Sequence, residues 1–508
     1  MRNRLLLLLA AVAWPGAVRA AEPPDPAKLA ARIDDRLGAE WKRAGAKPAP
    51  LVDDATFLRR ASLDLVGRVP TAAEVRAFLA DTAADKRARL VAQLIDSGGH
   101  TRHMATFWRR TWVPQADTPE FARLADDFEA WVAARVQENV PYDRVVRELL
   151  TQPGAAGRRG AVSPVGFFAA SESKPENLAA NATRSFLGVN LDCAQCHNHP
   201  FARWTRDQFW QTAAFFAAPK TGDGGKAMPP ELTIPNTKRA LSPELLDGTA
   251  VKWPEVLASD TGRKLLTDWL TAKDNPYFAR NAVNRLWAHV YGTALVEPLD
   301  DLSGDGGNTG YHAELLKELA DAFAASGFDL KYITRALVLT KAYQLSAVTP
   351  DATDPRLFAR MPIRGLTGEQ LYDSLRTAAG LPPERADTGR GLGLEGRRRF
   401  AAQFHVERPV MAERSITQAL SMMNGRLITD LTDPAKNPTL GGVASAPFLD
   451  TKGKVETLFL AALGRKPTAK EAKTMVEYVE GVTESDRDRA LGDVFWALVN
   501  SSEFNTNH

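Results

Sequence analysis

The chain has 508 residues, 44% of them hydrophobic and 25% charged, which is the balance of an ordinary globular protein able to bury large cores. Length alone suggests about two to four domains. Its 64 Lys and Arg stand against 61 Asp and Glu. Loss of Arg2, Arg4 and Arg19 with the leader described next leaves a neutral mature chain, which removes the electrostatic basis for nucleic acid or an anionic membrane as main partner.

Met1-Arg2-Asn3-Arg4 is basic, Leu5 to Ala13 is apolar, and Trp14-Pro15-Gly16 then breaks the run. This is the tripartite pattern of a secretory leader, with small residues at Val18 and Ala20 placing the cut after Ala20. A membrane anchor needs about 20 apolar residues, and this run is about half that. The expected product is a periplasmic or secreted protein, residues 21–508, with no stable anchor.

From Pro26 to Gln152 apolar residues recur at helical spacing, as at Leu58, Ala61 and Leu65. Asp53-Asp54 is expected to start one helix, and the capping box Thr71-Ala72-Ala73-Glu74 the next. Strand signals are scarce, so the predicted fold is all-α, mainly helical domains with long irregular loops and a short hairpin at most. Residues 21–218 read as an N-terminal helical domain and 219–258, rich in Gly and Pro, as a linker or loop. Residues 259–508 read as a C-terminal helical domain. Its helices are expected over Gly262–Ala272, Asn275–Gly292, His312–Ser326, Leu330–Leu345, Ser415–Leu431, Val455–Leu463, Ala469–Val482 and Arg487–Asn500. Gly380–Gly396 reads as irregular, and Arg397-Arg398-Arg399 as a solvated loop or a docking patch.

The chain's 2 cysteines stand as Cys193-Ala194-Gln195-Cys196-His197. This is the spacing of a covalently attached c-type haem: two thiols add across the porphyrin vinyl groups and the adjacent histidine ligates iron. Haem attachment occurs outside the cytoplasm, in agreement with the leader. Three other readings stay open, a Cys193–Cys196 disulfide, a zinc set of Cys193, Cys196, His197 and His199, and a pair of inert buried thiols. Four ligands within seven residues rarely all turn to one ion, which weighs against zinc.

Phe201, Trp204, Phe209, Trp210, Phe215 and Phe216 follow closely, either to cover a flat apolar cofactor or as helix core. Thr205-Arg206-Asp207-Gln208 reads as a capping box. Arg203 and Arg206 are candidates to pair with a haem propionate. For a sixth iron ligand the chain offers Met228, His103, Met104 and His289. Hydrolase motifs are absent: there is no Gly-x-Ser-x-Gly, no His-Glu-x-x-His and no phosphate-cradling loop. Asp300, Asp301 and Asp305, after the segment carrying Asn284, Arg285 and His289, form a polar cluster that reads as caps and turn residues or as a site lining.

Phe186-Leu187-Gly188-Val189, the motif through His199-Pro200-Phe201, Trp204 and Ala213-Ala214-Phe215-Phe216 resemble the planctomycete cytochrome-c-like family, domain of unknown function fifteen forty-nine. Asp53 to Arg60, with Leu63-Asp64-Leu65 and Gly67, looks like that domain's opening. The second half is similar to its companion, domain of unknown function fifteen fifty-three, through Asn275–Arg280, Asn284-Arg285-Leu286-Trp287, Val296-Glu297-Pro298, Gly327–Leu330, Ala342–Ser346, Gly464–Thr468 and Trp496–Phe504. The resemblance covers most of the mature chain and rests on the same Cys-x-x-Cys-His. Many relatives carry a plainer cytochrome c domain in front; this chain starts directly with the shared core, so a single haem is expected.

The leading expectation is an exported single-haem c-type protein. Cys193 and Cys196 hold the porphyrin, His197 ligates iron, and a redox partner protein exchanges electrons with it in transfer or as part of an oxidoreductase. The alternatives are a binding or scaffold protein with a structural disulfide or zinc knuckle, and a polysaccharide-directed hydrolase. Whether the chain is itself an enzyme, and its oligomeric state, are not legible.

Overall fold

A computed structural model describes residues 25–117, 122–152, 163–222, 225–302, 311–348, 354–384, 395–404 and 415–508. The leader and Asp305 lie outside these ranges. The described chain is mainly α-helical, and its strands form three antiparallel pairs of two residues each. No described helix is long and apolar enough to cross a membrane.

The predicted helix starts follow from side-chain capping. Asp53 accepts the amide of Thr56 and opens Asp54–Val66, and Thr71 with Glu74 closes a complete capping box on Ala72–Ala80. Helices occupy Thr261–Leu270, Phe278–Tyr291, Ala313–Ala325, Leu330–Leu339, Thr451–Leu463, Ala469–Glu480 and Arg487–Val499. Three expectations needed revision. The helix expected over Leu330–Leu345 ends at Leu339, where Thr340 turns extended (φ −62°, ψ 153°), and a 3-10 turn follows at Ala342–Gln344. The single helix expected over Ser415–Leu431 is two, Ile416–Asn424 and Arg426–Leu431. Gly425 between them turns extended, with φ −65° and ψ 147°. Arg397-Arg398-Arg399 is helical within Glu395–Gln403, because the first two arginines have inward partners. Arg397 chelates the Asp373 carboxylate at 2.9–3.2 Å, and Arg398 reaches Asp126 at 2.6 Å.

A single hydrophobic core contains Phe57, Trp108, Trp112, Tyr142 and Phe186 from before the Pro/Gly-rich segment and Phe278, Trp287, Phe323 and Tyr343 from after it. That segment carries two of the small hairpins, and Ile234 and Leu246 from it enter the same core. A second core gathers Leu366, Leu375, Phe459, Phe495 and Phe504, and takes in Leu63 and Val69 from the N-terminal half.

The Asp54–Val66 helix therefore stands between the cores, and its buried charges bind both. Asp64, 1% exposed, accepts Tyr343 Oη at 2.8 Å, Arg364 Nη2 at 2.7 Å and Asn507 Nδ2 at 2.8 Å. Arg59 donates to the carbonyls of Ala462, Glu503, Phe504 and Thr506, and Arg60 to those of Tyr343, Leu345 and His508. Arginine suits this role because its planar fork satisfies several carbonyls at once.

Candidate functional site

The Cys-x-x-Cys-His motif follows a buried helical turn, Thr183–Leu187, that ends at Gly188 in the left-handed region (φ +61°). A side chain at Gly188 would place its Cβ 2.8 Å from Asn281 Oδ1, so glycine is required twice, for conformation and for space. The helix Phe278–Tyr291 buttresses this turn. Asn281 Nδ2 donates to the Ser185 carbonyl at 2.8 Å, Arg285 donates to the Arg184 carbonyl at 2.9 Å, and the Leu302 amide donates to the Gly188 carbonyl at 2.6 Å.

The motif then forms a short 3-10 turn, Asp192–Gln195. Ala194 is fully buried, and the Trp210 indole donates to the Gln195 carbonyl at 3.1 Å, so the middle of the motif is pinned to the core. Cys193 and Cys196 are exposed free thiols on either side of that anchor. Asp192 forms a 3.0 Å ion pair with Arg184.

His197 is exposed, and its Nδ1 lies 2.7 Å from the Asn198 carbonyl. Asn198 was not expected to matter, yet it also accepts the Arg206 amide on Oδ1 at 2.9 Å, at the first residue of Arg206–Ala214. The expected capping box at Thr205 and Gln208 is present on the same helix. His199 is engaged within the loop itself. Its Nδ1 accepts the amides of Phe201 at 3.2 Å and Ala202 at 2.9 Å, and its own amide donates to the Trp204 carbonyl at 2.8 Å. Among the described residues, no three His, Cys, Asp or Glu are grouped to hold a metal ion.

The aromatic run divides unequally. Trp204, Phe209, Trp210 and Phe215 are at most 4% exposed and belong to the protein's own core, whereas Phe201 is 95% exposed. Arg203 is committed to Tyr277 Oη at 2.6 Å and lies over the Trp204 ring. Arg206 Nη2 reaches the Pro235 carbonyl at 3.5 Å.

The sequence candidates for a sixth ligand have places of their own. His103 and His289 face each other with ring centres 5.2 Å apart, and His289 Nε2 is 3.0 Å from the Asp64 carbonyl. Burial lowers the basicity of both imidazoles. Met104, 2% exposed, lines a small, partly open pocket with His100, Trp108 and Tyr142. Met228 is half-exposed on a hairpin. The companion-half residues have structural work: Asn284 clamps the Leu295–Val296 backbone through three hydrogen bonds, Trp287 stacks on Tyr291 at 4.1 Å, and Arg285 pairs with Asp300 at 2.6 Å.

A mainly helical chain whose first half presents an exposed Cys-x-x-Cys-His turn buttressed by the second half is a two-unit protein of the kind the sequence motifs resemble. The family PSCyt2, described as a protein of unknown function (DUF1549), matches residues 32–221, and PSD1, described as a protein of unknown function (DUF1553), matches residues 262–393. The chain carries both units, in that order. No curated protein and no solved structure matches it.

Proposed function

We propose that this is an exported c-type haem protein that passes electrons to or from a partner in an extracytoplasmic oxidoreductase system. Cys193 and Cys196 would hold the porphyrin by thioether bonds and His197 would ligate iron. The observation that carries this reading is one turn with two free, exposed thiols and a histidine whose Nδ1 is tied to a carbonyl, leaving Nε2 bare. Ligating histidines are commonly oriented in this way, with the second ring nitrogen donating to a carbonyl.

The residues present suit the group in donor chemistry: two accessible thiols can be alkylated, and a neutral imidazole offers a lone pair. When bound, haem supplies one-electron iron chemistry. The chain's own part is positional. Ala194 and Trp210 hold the backbone between the two thiols, Asn198 sets the imidazole, and the exposed turn leaves the site open to a protein partner.

The test is export in a host with a cytochrome c maturation system, followed by an absorption spectrum and a haem stain after denaturing electrophoresis. A stain that survives boiling and is lost in Cys193→Ala/Cys196→Ala is expected. A folded, colourless wild-type protein would overturn the reading and leave the exported scaffold. Terminal sequencing of the same sample checks cleavage after Ala20.

A further inference from the structure

We infer that the motif loop fixes opposite tautomers on its two histidines, making His197 the metal-binding imidazole and His199 a positioning residue that is no ligand. The argument needs only hydrogen-bond polarity. A carbonyl oxygen can only accept, so the 2.7 Å contact of His197 Nδ1 with the Asn198 carbonyl places the proton on Nδ1 and the lone pair on Nε2. A backbone amide can only donate, so the Phe201 and Ala202 amides at 3.2 and 2.9 Å require a bare Nδ1 on His199. In neutral His199 the proton is then on Nε2, which has no lone pair to give.

Ligation through either nitrogen of His199 would cost the loop. Using Nδ1 displaces two amide hydrogen bonds, and using Nε2 requires moving its proton onto Nδ1, which removes the same two. His199 also donates its own amide to the Trp204 carbonyl, so the ring and backbone together close the stretch from His199 to Trp204. The loop therefore keeps His199 out of a ligand set, and it disfavours the four-ligand zinc set. This deepens the haem reading by giving the site its selectivity, but the tautomer assignment does not depend on that reading.

The experiment uses the full chain produced without haem, reduced, with 15N-labelled histidine. Long-range 1H–15N correlation spectra are expected to show His197 protonated on Nδ1 and His199 on Nε2, assigned with His197→Asn and His199→Asn. Asparagine retains an acceptor near the Nδ1 position, so His199→Asn should keep slow amide exchange at Phe201 and Ala202, whereas His199→Ala should speed it at least tenfold. Zinc affinity of His199→Asn should match wild type within about twofold. An Nδ1-protonated His199, unchanged exchange in His199→Ala, or a tenfold loss of zinc affinity in His199→Asn would each overturn the inference. Haem staining of the wild type produced with a cytochrome c maturation system separates the two claims: a colourless wild type with the expected tautomers sinks the haem reading alone.

Discussion

At residue scale, the cysteines and Asp64 make opposite demands on the fold. Cys193 and Cys196 are exposed, and the aromatics beside them are already packed in the protein's core, so the fold does not depend on what the thiols hold. Cys193→Ala/Cys196→Ala should keep the wild-type circular dichroism spectrum and melt within about 2 °C of the haem-free parent, as surface substitutions do. Asp64 is the contrary case. Its carboxylate gathers Tyr343, Arg364 and Asn507 in the interior, and removing it leaves the Arg364 guanidinium buried without its counter-ion. Asp64→Ala should lower unfolding free energy by about 3–5 kcal/mol in a urea titration.

A histidine can be read at the same scale. Burial is the main cause that brings His100 down to about 4, so unfolding exposes an imidazole that takes up a proton below about pH 6.5. The sign follows: the folded-state value is depressed, so the contribution is complete above pH 6.5 and declines as pH falls towards 4. Between pH 6.5 and 5 this one residue should cost about 2 kcal/mol. Asp126 opposes it, being raised to about 6 chiefly by burial, so the whole-protein profile mixes both signs. The difference between wild type and His100→Gln, measured by urea melts at pH 7 and pH 5, isolates the histidine; a constant difference would contradict the assignment.

At element scale, the helix Arg206–Ala214 serves as the platform of the motif. Its capping box and the Asn198 side chain satisfy amides at its start, and its Trp210 holds the Gln195 carbonyl. Thr205→Ala removes one cap acceptor, which costs about 1 kcal/mol. Because the loop is hung on that helix end, amide exchange near His199 should rise together with the loss in stability. The box was legible in the sequence because a cap and its reciprocal partner lie three residues apart. Asn198 was not legible, since its two partners depend on how the loop folds back over the helix end. The helix start at Asp53 was readable for the same local reason, while the break at Gly425 was hidden inside a periodic apolar run.

At the scale of the whole molecule, the two halves of the chain are tied through charges, one of them from the arginine run that reads in sequence as a solvated loop or docking patch. Arg110 meets Glu369 at 2.8 Å, Arg398 meets Asp126 at 2.6 Å, and Arg364 meets Asp64 at 2.7 Å, each joining one half of the chain to the other. A run such as Arg397-Arg398-Arg399 looks solvated when nothing shows what faces it. In the fold, carboxylates from distant helices face two of its members.

The order of residues by itself determined the helical class, most helix starts, the paired family units and the Cys-x-x-Cys-His spacing, because periodicity, capping and motif spacing are interactions within a few residues. Only the tertiary structure decided that the neighbouring aromatics are core, that Asn284, Arg285 and Trp287 pack and brace, and that His197 and His199 have different hydrogen-bond partners. Each of those outcomes depends on partners brought from elsewhere in the chain or on the direction of a hydrogen bond across a folded loop, which no local pattern encodes.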